Sequence, residues 1–197
     1  MSTAAEAPRS TRNDGLVLLA GMAAVMWAVE IVDVIAFDLD SHGIEPRQTD
    51  GLPGILFAPF LHGGFGHLIG NTIPFLVLGF AIAVSGLVRV AAVTAVVVVV
   101  GGLGTWLVGP DNTVHIGASG VVFGYATYLT SRAFWTRRLI DVGVAVLVLG
   151  VYGTTLLFGL VPTPGVSWQG HLFGAVGGVV AARLVHPRAA NVRSSAA

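Results

Sequence analysis

The sequence predicts an all-α polytopic membrane protein, a bundle of six transmembrane helices. Three observations carry that prediction. Of 197 residues, 54% are hydrophobic and only 10% charged, with a mean hydropathy of +0.83, far outside the usage of water-soluble domains. The apolar residues gather into six runs of roughly twenty, the length a helix needs to cross a bilayer. All ten basic residues are Arg, and on a six-span path nine of them (9, 12, 89, 132, 137, 138, 183, 188 and 193) share one side with both termini, leaving Arg47 opposite. That asymmetry places the termini in the cytoplasm and the long first loop outside. The same composition narrows function. With no Cys, disulfides, thiol catalysis and thiolate metal sites are excluded. With zero net charge and no basic block, nothing suggests a nucleic-acid partner.

Taken in order, residues 1–14 are small and polar and read as a disordered cytoplasmic tail. The membrane domain is expected over 15–186, and a second cytoplasmic tail over 187–197. The first span runs from about Leu16 to Phe37 and carries Glu30 and Asp33, which belong near its outer end or against the protein interior because charge is costly in lipid. Residues 38–66 form a long loop, within which Leu52 to Leu61 is too apolar for a soluble loop and too short to span, as in an interfacial or re-entrant segment. The second span, Phe65 to Leu87, holds His67, Asn71 and Pro74; the proline lacks an N–H and should distort the helix there. The third is Val90 to Val108, followed by a turn at Gly109-Pro110-Asp111-Asn112. The fourth is Gly117 to Phe134, the fifth Leu139 to Leu160, and the sixth, after Pro162-Thr163-Pro164-Gly165, Ser167 to Val185.

Few polar side chains interrupt the spans: His67, Asn71, Ser119 and His171 stand out. At 1.5 Å per residue, Ser119 lies roughly 20 Å above Arg132, His171 roughly 18 Å above Arg183, and Asn71 roughly 21 Å above Ser85. In a core about 30 Å thick they share one depth, on the order of 10 Å below the outer face. The fourth helix covers only about 22 Å from Gly117 to Arg132, so the preceding loop with Pro110 and His115 must dip into the membrane, where non-helical backbone is tolerated if it lines a cavity. Ser119 then opens a helix, whose free N–H groups face a developing negative charge. Gly120 and Gly124, and Gly170, Gly174 and Gly178, are spaced by four and make flat stripes for close helix contact. Packed along them, the fourth and sixth helices bring His171 within hydrogen-bond reach of Ser119, the geometry of a histidine-activated serine. His67 and Asn71, four apart, share a helix face and both donate hydrogen bonds. No acidic residue lies at that depth, which points to a Ser–His dyad and not a triad.

These residues resemble the rhomboid family of intramembrane serine proteases, in its bacterial six-span form. Gly117-Ala118-Ser119-Gly120 is similar to the family's Gly-x-Ser-Gly, His67-Leu68-Ile69-Gly70-Asn71 to its His-x-x-x-Asn, and His171-Leu172-Phe173-Gly174-Ala175-Val176-Gly177-Gly178 to its His-x-x-Gly-x-x-x-Gly. His62, five residues before His67, also resembles a histidine often found in the family. The resemblance implies a six-helix rhomboid-like bundle in the bacterial inner membrane, cutting transmembrane protein substrates near the outer face. It implies Ser119 as nucleophile, His171 as general base and acid, and His67, Asn71 and the Ser119 N–H as the oxyanion pocket, with Gly117 keeping the backbone open beside it. The fifth helix and the Pro162–Gly165 loop would gate and cap the site. No metal or cofactor is called for. Two positions depart from the pattern: Phe123 stands where some members carry Tyr, and Arg47 follows Pro46 where some carry a Trp-Arg pair.

His-Glu-x-x-His and Gly-x-Gly-Asp are both absent, so metalloprotease and aspartyl-protease readings fit poorly. The serious alternative is a non-proteolytic rhomboid-like membrane chaperone or quality-control binding protein. That class typically lacks the Ser or the His, and this chain keeps both. The sequence does not speak to oligomeric state.

Overall fold

A computed structural model describes residues 9–186. Within them the chain is all-α, with seven α-helices: α1 Arg9–Ala36, α2 Gly54–Phe57, α3 Phe65–Ala83, α4 Leu87–Val108, α5 Ser119–Thr136, α6 Leu139–Phe158 and α7 Trp168–Val185. Single 3-10 turns at Asp40–His42, Thr49–Gly51 and Ala58–Phe60 shape the first loop. The helix α1 begins at Arg9, inside the stretch expected to be a disordered tail. The rest of both tails lies outside the described residues.

Six of the helices have 18 residues or more, but four, α1, α3, α4 and α6, are long and apolar enough to cross a membrane by length and composition. The two that fall short, α5 and α7, carry the polar residues Ser119, Arg132, Gln169 and His171. Their place in the fold explains why. Each is wrapped by other helices, α5 contacting α3, α4, α6 and α7, and α7 lying against α4 and α5. A helix that meets protein on most sides need not be uniformly apolar.

Glycine sets the spacing of this inner layer. A Cβ on Gly174 would collide with the carbonyl of Gly120 on α5, and one on Gly178 with the carbonyl of Gly124. On the other side of α7, a Cβ on Gly101 of α4 would stand 3.3 Å from the Gly174 Cα. Thr127 of α5 adds a hydrogen bond to the Ala175 carbonyl at 2.7 Å. Around this layer the core is filled by Leu68, Phe75 and Ile82 from α3, Val93 and Val97 from α4, and Tyr125 and Leu129 from α5. The Tyr125 hydroxyl is buried and meets Thr94 Oγ1 at 2.6 Å, so neither polar atom is stranded.

In contrast, α6 is peripheral. Asp141 and Val148 are its buried residues, while Val146, Leu147, Val151 and Leu157 face outwards. Its polar tether is at its N-terminal end, where Asp141 pairs with Arg132 of α5 at 2.9 Å, both side chains no more than 10% exposed. The helix α3 runs through Pro74 without an assigned break.

The first loop is folded, not loose. Ile44 and His115 exchange both backbone hydrogen bonds at 2.9 Å. Arg47 pairs with Asp111 and donates to the carbonyls of Leu107 and Gly109 at 3.1 and 2.7 Å. Ile55 and Ala58 pack with Val98 and Trp106 of α4, while Leu56 and Phe57 turn outwards, an amphipathic segment as an interfacial stretch requires. Glu30 is 1% exposed, facing the protein interior, and Asp33 accepts the Leu39 N–H at the end of α1.

Candidate active site

The chain between α4 and α5 is bridged to the first loop at His115 and enters α5 through Gly117. Gly117 sits at φ +110°, where a side chain would be strained, and a Cβ there would strike the His67 ring. The Gly117 N–H is already given to the Ala58 carbonyl at 2.8 Å. The Gly117 N–H is thus spent on the first loop, and what Gly117 leaves beside His67 and Asn71 is space. The next N–H, of Ala118, goes to His62 Nε2 at 3.4 Å. Ser119 opens α5, and its own N–H belongs to the first helical turn, which has no intrahelical acceptor.

His171 Nε2 stands 2.9 Å from Ser119 Oγ. Its other ring nitrogen, Nδ1, lies 2.7 Å from the Gly159 carbonyl. A carbonyl only accepts, so Nδ1 carries the proton and Nε2 offers its lone pair to the serine hydroxyl. The Phe123 ring stacks on the imidazole at 4.2 Å between centroids and 7° between planes, fixing the ring plane from α5. Gly159, the residue that ends α6, takes the orienting role that an acid fills in a triad. Sequence reasoning missed it because a backbone carbonyl leaves no residue-type signal. The tight fit around Gly159, where a Cβ would meet Phe123 and the His171 ring, is the nearest thing to one.

His67 Nδ1 faces the Gly63 N–H at 3.4 Å. Nδ1 is then the acceptor, and Nε2 bears the proton on the Gly117 side. Asn71 Nδ2 spends one hydrogen on the His67 carbonyl at 3.2 Å and keeps the other. His67, Asn71, Ser119 and His171 all line one cavity of about 960 Å³ roofed by the Pro162–Trp168 loop. A recess of about 50 Å³ lies behind Ser119, walled by Ile55, Ala58, Val98 and Gly101. His62 is 1% exposed; burial, helped by His67 alongside, pushes its pKa down to about 4. It is thus neutral and able to accept the Ala118 N–H.

Two further polar residues meet beside this site, His115 and Ser167, at 2.6 Å; neither had a role from the sequence. Among the described residues no group of three or more His, Cys, Asp or Glu is placed to hold a metal ion. Of the glycines expected at helix contacts, Gly120, Gly124, Gly174 and Gly178 lie at close backbone approaches between α5 and α7, and the Gly170 carbonyl is 3.1 Å from where a Gly120 Cβ would be.

Residues 50–188 match the profile described as Rhomboid domain. An uncharacterized protein of Mycobacterium tuberculosis is 47% identical over 172 residues, covering 82% of this chain and 71% of that protein. One from Mycobacterium leprae is 46% identical over 181 residues, 87% of this chain and 71% of the relative. A putative rhomboid protease of Bacillus subtilis is 28% identical over 119 residues, 60% of this chain and 59% of its own length.

Proposed function

The chain belongs to the rhomboid family, and on that premise we propose that it is an intramembrane serine endopeptidase working by a Ser119–His171 dyad. The observation that carries the reading is the 2.9 Å approach of His171 Nε2 to Ser119 Oγ with Nδ1 held by a carbonyl, a serine and a base in the protonation states that attack requires. Ser119 Oγ adds to the scissile carbonyl while His171 Nε2 takes its proton. The oxyanion is received by His67 Nε2–H, the free Asn71 N–H and the Ser119 N–H. The intermediate collapses as His171 passes the proton to the leaving amine. Water from the cavity then attacks the acyl ester, again with His171 as base, and releases Ser119.

The substrates are transmembrane proteins cut near the outer face. A cavity of about 300 Å³ opens between α3, α5 and α6, lined by Ile73, Pro74, Phe123 and Tyr152, and offers an apolar route from lipid towards Phe123 and the dyad. The 50 Å³ recess behind Ser119 suits a small apolar side chain beside the cleaved bond. The protein sits in the bacterial inner membrane as a six-span domain over 15–186, with α5 and α7 completing the set and the arginine asymmetry keeping both termini in the cytoplasm.

The test is cleavage of a reporter transmembrane substrate in liposomes by the wild type, Ser119→Ala and His171→Ala. Cleavage lost in both variants is expected. Equal cleavage by all three would refute the dyad. A wild type that neither cleaves nor reacts at Ser119 with a fluorophosphonate would favour a non-proteolytic binding protein.

A further inference from the structure

The dyad has a counterpart one helical turn away. Ser119 of α5 meets His171 of α7 across 52 residues. His115, four residues before Ser119, meets Ser167, four before His171, also across 52 residues. The two pairs are reciprocal: in one the serine comes from the α5 side, in the other the histidine does.

The protons of the second pair can be assigned from its partners. Ser167 Oγ accepts the Gly170 N–H at 3.2 Å as the N-cap of α7. The Ser167 hydroxyl hydrogen is then free to donate to His115 Nδ1 at 2.6 Å. His115 Nε2 bears the other proton and gives it to Thr113 Oγ1 at 3.0 Å, and Thr113 in turn donates to the Pro110 carbonyl at 2.7 Å. Every donor and acceptor in the chain is used once. The opposite tautomer strands the Ser167 hydrogen and costs Thr113 its bond to Pro110. His115 is 8% exposed and anchored at both backbone groups to Ile44, so this end is tied to the first loop.

We propose that His115 and Ser167 form a positioning clasp that fixes the first turn of α7 against the segment leading into α5, and so sets the distance between Ser119 and His171. This rests on the protease reading. The glycine contacts bring α5 and α7 close, but flat backbone-on-backbone contact tolerates sliding along the axis. A 2.6 Å hydrogen bond between two anchored residues does not. The Thr127 bond to Ala175 pins the helices deeper down; the clasp pins them at the level of the chemistry. Ser167 also accepts the His171 N–H on its carbonyl at 3.1 Å, so any shift of Ser167 reaches the base directly.

The experiment is steady-state cleavage of a reporter transmembrane substrate in liposomes by the wild type, His115→Phe, Ser167→Ala, the double variant and Ser167→Thr. Fluorophosphonate labelling of Ser119 and the ring-nitrogen NMR shifts of His115 accompany it. His115→Phe leaves the α7 cap intact and removes only the clasp. It should lower kcat roughly tenfold or more with KM little changed, as a misplaced base does. Ser167→Ala should do at least as much, and the double variant no worse than Ser167→Ala, because the partners share one interaction. Ser167→Thr keeps the hydroxyl and should restore kcat, and the wild-type shifts should show His115 protonated at Nε2. Wild-type kcat in His115→Phe and Ser167→Ala, losses that multiply in the double variant, a loss confined to KM, or an Nδ1-protonated His115 would each overturn the clasp while leaving the dyad standing. A wild type that neither cleaves nor labels would overturn the protease reading itself, and the clasp's purpose with it.

Discussion

Alanine at Gly174 would test whether the α5–α7 spacing holds the dyad together. A Cβ at this position would lie 2.8 Å from the carbonyl carbon of Gly120 and 3.0 Å from its Cα, and neither backbone can swing aside as a flexible side chain would. Carbon–carbon contacts are comfortable at about 3.5–4.0 Å, so the helices must part by about 1 Å. Gly174 lies three residues beyond His171, about 5 Å along the axis, so the separation is passed to the site almost undiminished. The 2.9 Å bond between Ser119 and His171 would stretch to nearly 4 Å, beyond hydrogen-bonding range. The expected result is a loss of about 100-fold in kcat and a stability cost of about 1–3 kcal/mol for overpacking. Two controls bracket it. A Cβ on Gly120 would stand 3.1 Å from the Gly170 carbonyl oxygen, a milder clash with an intermediate effect. One on Gly150 in α6 meets nothing within 4 Å and should leave activity unchanged. The assay is reporter cleavage in liposomes together with the rate of Ser119 labelling by a fluorophosphonate, which does not depend on substrate delivery. Gly174→Ala cleaving and labelling at the rate of Gly150→Ala would refute the reasoning.

Asp141→Ala should destabilise the protein by about 3–5 kcal/mol, because it leaves the Arg132 charge buried without its partner; thermal unfolding in detergent should show Arg132→Met/Asp141→Leu recovering most of that loss. Lowering pH should also weaken the fold. The unfolded chain protonates His62 near 6.5, whereas the folded chain resists to about 4, so stability falls as pH drops through that window, by at most about 3 kcal/mol for this residue. Melting curves between pH 7 and pH 4 should be flatter for His62→Gln, and an unchanged slope would dismiss His62 as a contributor. Phe123→Tyr keeps the ring stacked on His171 and should cleave within about threefold of wild type, whereas Phe123→Ala frees the imidazole and should lose about tenfold or more in kcat.

Much of this architecture could be read from the residues because membrane spans leave little room for ambiguity. The turn at Gly109-Pro110 ends the third run where the structure ends α4 at Val108, whereas the second span, expected to reach Leu87, stops at Ala83 and Leu87 already opens α4. The meeting of Ser119 and His171 was legible because each could be measured from an arginine at its helix's inner end. Other features were not, for physical reasons. The membrane tail of α1 reaches back to Arg9 through polar residues that carry no hydropathy signal. Gly159 acts through its carbonyl, which every residue has. The bond from the Gly117 N–H to the Ala58 carbonyl joins two loops and leaves no mark in the residue types. The pairing of His115 with Ser167 joins two loop residues whose neighbourhood exists only once α5 and α7 have packed.

The peripheral place of α6 carries a mechanical consequence. The helix is tethered at its N-terminal end by Arg132 and Asp141, and much of its length presents Val and Leu outwards. Val144, Val148, Tyr152 and Leu156 pack along one face of α6 on the core, while its other face is open to acyl chains, so the tilt of this helix is the one most exposed to bilayer thickness. A thinner membrane would lean the outer end of α6 over, while the glycine contacts of α5 and α7 stay as they are. The Gly159 carbonyl just past the C-terminal end of α6 touches His171 Nδ1, so a change in the tilt of α6 would reach the His171 ring through a single hydrogen bond.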